Sequence, residues 1–251
     1  MQIKHIALAA VAALGFNAAQ AGVNTSLNNA EIFFVAYDIT NGTKSFNFDT
    51  GVNVSKLIDG SINYTTSFAN DANWTSFVSS VGASNVAWYV QALQFQNGKN
   101  TKFSYATLGA GQAVTTPGTN LAFNADVTNL NNALQAWQVG AGQSEVAAGG
   151  TPNYMGVYDQ FKSLSITQLS NTIGTTNVSF FGAANSDTTK NTLKETIFAV
   201  PAAVASLSAN GTLTIATPTP VTSNVPEPTT TGLALAGLLV AGAVARRRAA
   251  K

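Results

Sequence analysis

The side chains of this 251-residue sequence that could do acid–base chemistry are scattered carboxylates. Asp38 and Asp49 flank a predicted hairpin and could approach each other, as glycoside hydrolysis requires of two carboxyl groups. The simpler interpretation, which we favour, is that both are turn or hairpin-end aspartates in water, because Asp is a common turn residue. We therefore predict no catalytic residue.

The residue types that most catalytic and metal sites need are missing. There is no cysteine, and the one histidine, His5, lies in the leader described below. Between residues 22 and 224 there is also no arginine. These absences exclude Ser-His-Asp and Cys-His triads, His-based or thiolate metal sites and arginine clamps on phosphate from that segment. We expect no enzymatic activity, no metal site and no cofactor.

Two alternatives stay open. A calcium-dependent carbohydrate-binding module would use Asp, Asn and main-chain oxygens. The segments NFDTGVN (47–53) and ANSDTTKN (184–191) offer such oxygens, although neither has the acidic D-x-D-x-D-G pattern with a closing Glu. A secreted polysaccharide-cleaving enzyme would instead need two carboxyl groups about 5–10 Å apart in one groove.

Charge is scarce, and its balance argues against a nucleic-acid partner. Charged residues make up 9% of the sequence, against about 25% in an ordinary soluble domain. The 14 Phe, 6 Tyr and 3 Trp residues need a core to pack in, so the chain is not expected to be disordered. Residues 22–224 carry seven lysines and ten acidic residues, a net charge of −3, which would repel a polyanion.

The first 21 residues have the layout of a secretory signal peptide. Lys4 supplies a positive charge, residues 6–15 form a short apolar stretch, and Ala19 and Ala21 frame a small-x-small cleavage site. We expect signal peptidase to cut after Ala21, which leaves residues 22–215 as a secreted β-rich ectodomain. The alternative is a buried N-terminal helix.

The C-terminal segment combines an extended acidic element with an apolar run. Residues 216–224 are rich in Pro and Thr and predict a semi-rigid linker. Pro226 and Pro228 hold Val225 and Glu227 in extended conformations, so a single carboxylate is presented on an open chain. Residues 229–245 carry no charge and would span about 25 Å as a helix, which predicts a marginal transmembrane helix.

Three arginines, Arg246, Arg247 and Arg248, follow the apolar run at once. Positive charge beside a membrane span stays on the cytoplasmic side, so the ectodomain is predicted to lie outside. An ordinary single-span anchor behind a Pro-rich linker would explain the same charge pattern.

The whole tail resembles the PEP-CTERM sorting domain of Gram-negative envelope proteins. The resemblance covers about a tenth of the chain and implies recognition by an exosortase, a membrane cysteine protease that cuts at or near the motif. It further implies release to the cell surface or extracellular matrix, often in organisms that make exopolysaccharide. The residues that carry it are the motif Val225, Pro226, Glu227 and Pro228, the span 229–245, and the basic tail 246–251 with Arg246, Arg247 and Arg248.

Asn-Gly turns and apolar periodicity predict the fold of the ectodomain. Asn41-Gly42, Asn97-Gly98 and Asn210-Gly211 each stand between β-type runs, which indicates three hairpins. Apolar residues at spacings of three and four predict a helix within residues 123–140, capped by Asn124 or Asp126 and stopped by Gly140, and a shorter one within 70–82. Residues 158–171 fit a helix or a strand. We expect an antiparallel β-sandwich with one or two packed helices.

The sequence indicates how the protein is sorted more clearly than what its ectodomain does. The leader and the tail favour an exported surface protein, processed by signal peptidase and exosortase and held transiently in the membrane. A surface rich in Thr, Asn and Ser can hydrogen-bond neutral sugars. We therefore expect a non-enzymatic structural or adhesive component of the exopolysaccharide or biofilm matrix, with extracellular polysaccharide as its partner.

Overall fold

The structure, a computed structural model, describes residues 23–26, 28–95, 102–109, 119–156, 171–185 and 196–218. These residues contain three α-helices: α1 (Ser55–Ile58), α2 (Ala72–Val81) and α3 (Asn120–Gln135). A 3₁₀ turn covers Ala83–Asn85. The ten strands are β1 (Glu31–Asp38), β2 (Lys44–Asn53), β3 (Asn63–Ser67), β4 (Val86–Phe95), β5 (Lys102–Thr107), β6 (Ser144–Ala148), β7 (Asn171–Thr172), β8 (Val178–Ala184), β9 (Thr196–Leu207) and β10 (Thr212–Ala216).

All ten strands belong to one sheet with antiparallel pairing. Its order is β3-β10-β9-β8-β5-β4-β1-β2-β6, and the short β7 pairs with β4. The predicted antiparallel β architecture is confirmed, but the two facing sheets of a sandwich are wrong for the described residues. Hydrogen bonding runs without a break from β3 to β6, so the sheet buries its inner face by curling on itself.

The inner face of the curled sheet holds the larger aromatic core. Side chains from β1 and β2 share this cluster with Ala205 and Leu207 of β9 and with Leu213 and Ile215 of β10. Phe34 stacks on Phe68 with ring centroids 5.2 Å apart, and Phe46 meets Trp74 edge-on at 5.1 Å. Contacts between strands that lie far apart in the sheet order therefore hold the curl closed.

Helix α2 supplies Trp74 and Phe77 to this inner core. The predicted short helix within residues 70–82 is confirmed, and both rings are buried. It begins at Ala72 because the Asp71 carboxylate accepts the free N–H groups of Asn73 and Trp74. A second, four-residue helix, α1, was not predicted from the sequence.

Helix α3 covers the outer face of the sheet. The predicted helix is confirmed: Val127, Leu130 and Leu134 are buried in a second cluster with Phe33, and Trp137 follows the helix in the same cluster. The predicted caps are wrong, because the helix begins at Asn120 and the hydroxyl of Thr119 accepts the Ala122 N–H. The predicted stop at Gly140 is also late, since Ala136 is already the C-cap residue.

Two of the three predicted Asn-Gly hairpins are confirmed directly. β1 pairs with β2 across Asn41-Gly42, and β9 pairs with β10 across Asn210-Gly211. Both glycines have positive φ, 62° and 78°, which favours glycine at these turns. Asn97-Gly98 lies outside the described residues, but its flanking strands β4 and β5 pair as predicted.

Several predicted segments lie outside the described residues: the signal peptide, residues 158–170, residues 219–224 of the linker, and the entire sorting tail with its proposed span 229–245. Within the described part of the chain, no helix has the length and apolar character needed to cross a membrane.

Candidate functional site

The first carboxylate of the proposed pair, Asp38, organises the turn between β1 and β2. Its Oδ1 accepts the N–H groups of Thr40 (3.0 Å) and Asn41 (3.1 Å), and its Oδ2 accepts the hydroxyl of Thr43 at 2.6 Å. Burial raises the pKa of Asp38, but these hydrogen bonds outweigh it and hold the pKa below the ordinary value. The interpretation of Asp38 as a turn residue is confirmed, but the expectation that it lies in water is wrong, because its side chain is buried.

The second carboxylate, Asp49, is not in water as expected. It is 1% exposed, and its Oδ1 accepts the Gly51 N–H at 2.9 Å. Burial raises its pKa to about 6, although the Gly51 N–H opposes the change and the nearby Glu31 adds to it. The sequence placed Asp49 at a hairpin end, whereas β2 continues beyond it to Asn53.

Asp38 and Asp49 do not form a carboxylate pair. Asp49 lies opposite Phe33 on β1, five residues before Asp38, which corresponds to about 17 Å along the strand. Phe33 and Tyr37 both face the outer cluster. Asp49, which lies opposite Phe33, is on that same outer face of the sheet, whereas Asp38, the residue after Tyr37, points to the inner face. The geometry that glycoside hydrolysis requires is therefore not formed by these two residues.

The two segments considered for calcium do not assemble a site within the described residues. In the first, the Asn47 amide donates to Glu145 Oε1 (3.1 Å) and to the Asn153 carbonyl (2.8 Å), so it serves the packing of β2 against β6. Of the second, only residues 184 and 185 are described. No group of three or more acidic, His or Cys side chains in the described part of the chain is placed to hold a metal ion.

A cleft of about 720 Å³ opens on the outer side, where three segments meet. The β1–β2 turn forms one wall, the second half of α3 forms another, and the chain after β6 forms the third. Among the described residues that line it, none has a charged side chain. The lining residues are Thr40, Asn41, Gly42, Asn129, Asn132, Ala133, Gly149, Gly150, Thr151, Pro152, Tyr154 and Gly156.

The Asp38 turn and the Gly149-Gly150 bend fix the cleft wall against each other. The Gly149 N–H donates to the Thr43 carbonyl at 2.7 Å. A Cβ atom at residue 149 would lie 2.6 Å from the carbonyl oxygen of Gly42, so only glycine allows this approach. The buried carboxylate of Asp38 thus accepts the hydrogen bonds that shape this turn of the cleft wall.

Hydrogen bonds to β2 and β4 hold the third wall of the cleft, the chain after β6, in place. The Met155 N–H donates to the hydroxyl of Ser45 at 3.1 Å, and the Tyr89 hydroxyl donates to the Met155 carbonyl at 2.9 Å. These bonds tie the segment carrying Tyr154 to β2 and β4. Tyr154 is half-buried and lines the cleft. Its ring lies against Gly156, and a Cβ atom at residue 156 would overlap the Tyr154 hydroxyl.

A second hollow of about 480 Å³ adjoins the cleft at Pro152. Glu145 lines it and is held by amides: Asn153 Nδ2 donates to Oε1 at 2.9 Å and the Gln138 N–H to Oε2 at 3.2 Å. The indole N–H of Trp137 is buried and has no hydrogen-bond partner among the described residues. Glu145 is the one carboxylate among the described residues of this hollow, so they form no carboxylate pair.

The residues predicted to be recognised during processing all lie outside the described residues. They are Ala19, Ala21, Val225, Pro226, Glu227, Pro228, Arg246, Arg247 and Arg248. Sequence reasoning in turn missed the cleft, whose one local signal is the GGTPNY segment at 149–154, a turn-forming run with an aromatic residue.

Comparison with known families bears on the tail alone. Residues 224–248 match the family model of the PEP-CTERM protein-sorting motif. The match confirms the resemblance drawn from Val225 to Arg248 and supports export with exosortase-dependent sorting to the cell surface. Neither the curated proteins nor the solved structures contain a significant match to this chain. The cleft has to be interpreted from its own chemistry.

Proposed function

We propose that this chain is a non-enzymatic surface protein that binds neutral polysaccharide of the extracellular matrix in the cleft beside the β1–β2 turn. The observation that carries the proposal is the set of described lining residues, which carry no charge and place exposed amides and hydroxyls around one tyrosine ring. Amides and hydroxyls both donate and accept hydrogen bonds, as sugar hydroxyls do. A cleft of several hundred Å³ suits a short stretch of sugar units.

The lack of charged side chains among the described lining residues bears on which polymer fits. These residues offer no cation to compensate the charges that an anionic polysaccharide would lose from water on binding. The negative net charge of residues 22–224 adds long-range repulsion. A neutral polymer incurs neither cost, so the proposal is restricted to neutral glycans.

Processing places the cleft outside the cell. In the proposed sequence of events, signal peptidase cuts after Ala21, and residues 229–245 hold the chain in the inner membrane with Arg246 to Arg248 in the cytoplasm. Exosortase then cuts at or near the Pro226-Glu227-Pro228 element. The released ectodomain reaches the surface or the matrix as a structural or adhesive component.

Affinity electrophoresis through gels containing neutral glucans or mannans tests the binding. The exported protein is expected to be retarded by at least one neutral polymer and not by a polyuronate. Asn132→Ala removes one exposed amide of the cleft, and losing about one hydrogen bond should weaken binding about 2–10-fold. Asn124→Ala is the matched control, because it lies on the same helix but outside the cleft lining.

Three results would contradict the proposal. Migration unaffected by every neutral polymer would remove the ligand class, and equal weakening by Asn124→Ala and Asn132→Ala would remove the site. An increase in reducing ends on incubation with the bound polymer would show hydrolysis and contradict the non-enzymatic role.

A further inference from the structure

The two edges of the sheet differ in how their outer backbone groups are used. On β6, the amide of Asn73 donates to the Ser144 carbonyl at 2.9 Å. The Ala148 carbonyl accepts both the hydroxyl and the N–H of Thr151, at 2.6 and 3.1 Å. Two outward carbonyls of the β6 edge, those of Ser144 and Ala148, are thus used by α2 and by the turn that follows the strand.

The other edge, β3, presents backbone groups to solvent. The Phe68 N–H bonds the Gly211 carbonyl and the Thr217 N–H bonds the Ile62 carbonyl, so even-numbered residues face β10. In an antiparallel strand, adjacent residues direct their N–H and C=O groups to opposite sides. Asn63, Thr65 and Ser67 therefore point theirs away from the sheet, and all three residues are exposed.

Nothing in the β3 sequence, NYTTS, discourages pairing with another strand. Proteins usually protect an edge strand with a charge, a proline, a bulge or a covering element. β3 has no charged residue and no proline, and its pairing with β10 shows no register shift. Among the described residues, no backbone hydrogen bond covers its outer side.

We propose that two copies of this chain pair antiparallel through β3. A second copy is the fitting partner because the edge is uncharged and matches itself under two-fold rotation. The register centred on Thr65 uses the whole strand: Thr65 faces the same residue of the second copy, and Asn63 faces Ser67. Each of these three pairs exchanges two main-chain bonds, about six in all. The sheet then continues from one copy into the other.

Thr65 is the residue on which the geometry can be tested. At the centre of the pair, the two residues 65 stand directly opposite each other, about 5 Å apart at Cβ. Thr65 is exposed, and its hydroxyl makes only a 3.4 Å contact with Thr214 Oγ1. A charge placed there leaves the core of each copy intact but faces a like charge in the pair.

The experiment is sedimentation equilibrium of the protein as its own cells export it. The wild-type protein is expected to show about twice the monomer mass at high concentration, whereas Thr65→Lys and Thr65→Glu are each expected to be monomeric. An equimolar mixture of the two variants is expected to restore the dimer, because lysine then faces glutamate. Restoration also shows that both variants are folded.

Thr214→Lys is the matched control, because Thr214 lies beside Thr65 on the same face but one strand further from the edge. It is expected to dimerise like the wild-type protein. A wild-type protein that stays monomeric, a Thr65→Lys variant that dimerises normally, or a mixture that fails to restore the dimer would each overturn the proposal.

Discussion

Replacing Asp49 by asparagine should stabilise the protein at neutral pH and leave its stability nearly unchanged at pH 4. Burial raises the pKa of this carboxyl to about 6, against 3.8 for an ordinary aspartate. At 1.36 kcal/mol per pKa unit, this difference corresponds to about 3 kcal/mol as an upper limit. Asparagine has the same shape and carries no charge, and its Oδ1 can still accept the Gly51 N–H.

The direction of the pH dependence follows from the raised pKa. Between pH 4 and 6, Asp49 keeps its proton in the folded protein, whereas the unfolded chain loses it. The folded state binds more protons in this range, so its stability falls as the pH rises and levels off above pH 6. The Asp49→Asn variant lacks this titration, and its advantage should grow from pH 4 to 6 and then stay constant.

Urea unfolding followed by tryptophan fluorescence at pH 4, 5, 6 and 7 measures the effect. The quantity that matters is the difference in unfolding free energy between variant and wild type at each pH, because titration of other groups cancels in it. Asp59→Asn is the control, since Asp59 is exposed and its pKa is lowered. A difference independent of pH, or a loss of stability in Asp49→Asn at pH 7, would refute the reasoning.

Two further substitutions test the cleft wall. Asp38→Ala should lower the unfolding free energy by about 1–2 kcal/mol at pH 7. Because the pKa of Asp38 is lowered in the folded protein, this loss of stability should shrink as the pH falls below 4. A loss of stability that does not change with pH would contradict the role given to Asp38. Gly149→Ala places a methyl group 2.6 Å from the Gly42 carbonyl oxygen, so it should lower the unfolding free energy by about 1–3 kcal/mol in denaturant unfolding and weaken glycan binding. The control Gly140→Ala meets only a side-chain atom at 4.0 Å and should be nearly neutral. Equal losses of stability in the two variants would show that the close approach at residue 149 is not the cause.

Local signals predicted the elements whose residues select one conformation. Side chains alternate along β4, so that Trp88 and Val90 lie in the inner cluster and Tyr89 and Leu93 in the outer one. The Asn-Gly turns worked for the same reason, because Gly42 and Gly211 adopt the positive φ that glycine allows without a steric cost.

The fold prediction was wrong where the local sequence pattern fits more than one residue or more than one arrangement of strands. Thr119 caps α3 instead of Asn124 or Asp126, since the helix extends further toward the N-terminus than its apolar spacing shows. The choice between a sandwich and one curled sheet depends on whether the strands hydrogen-bond without a break across β8, β9 and β10. Alternation within each strand is the same in both arrangements, so the sequence does not separate them.

The candidate cleft was not predictable from any one motif. Its walls come from residues near 41, 132 and 150, which only the completed sheet and α3 bring together. Asp49 was misjudged for a related reason: the Ala141-Gly142 segment, far away in sequence, lies beside it, with Ala141 next to Gly51 and the Gly142 N–H donating to the Asp49 carbonyl. The sorting tail, by contrast, is a linear signal, so residues 224–248 sufficed to recognise it.

The most direct test of the account is the intact mass of the protein recovered from the cell surface, compared between cells with an active and an inactive exosortase. With the active enzyme, the protein is expected to begin at Gly22 and to lack Arg246 to Arg248. Without it, the chain should keep these arginines and stay in the membrane fraction. Surface protein that still carries the arginine tail in cells with an active exosortase would contradict the account.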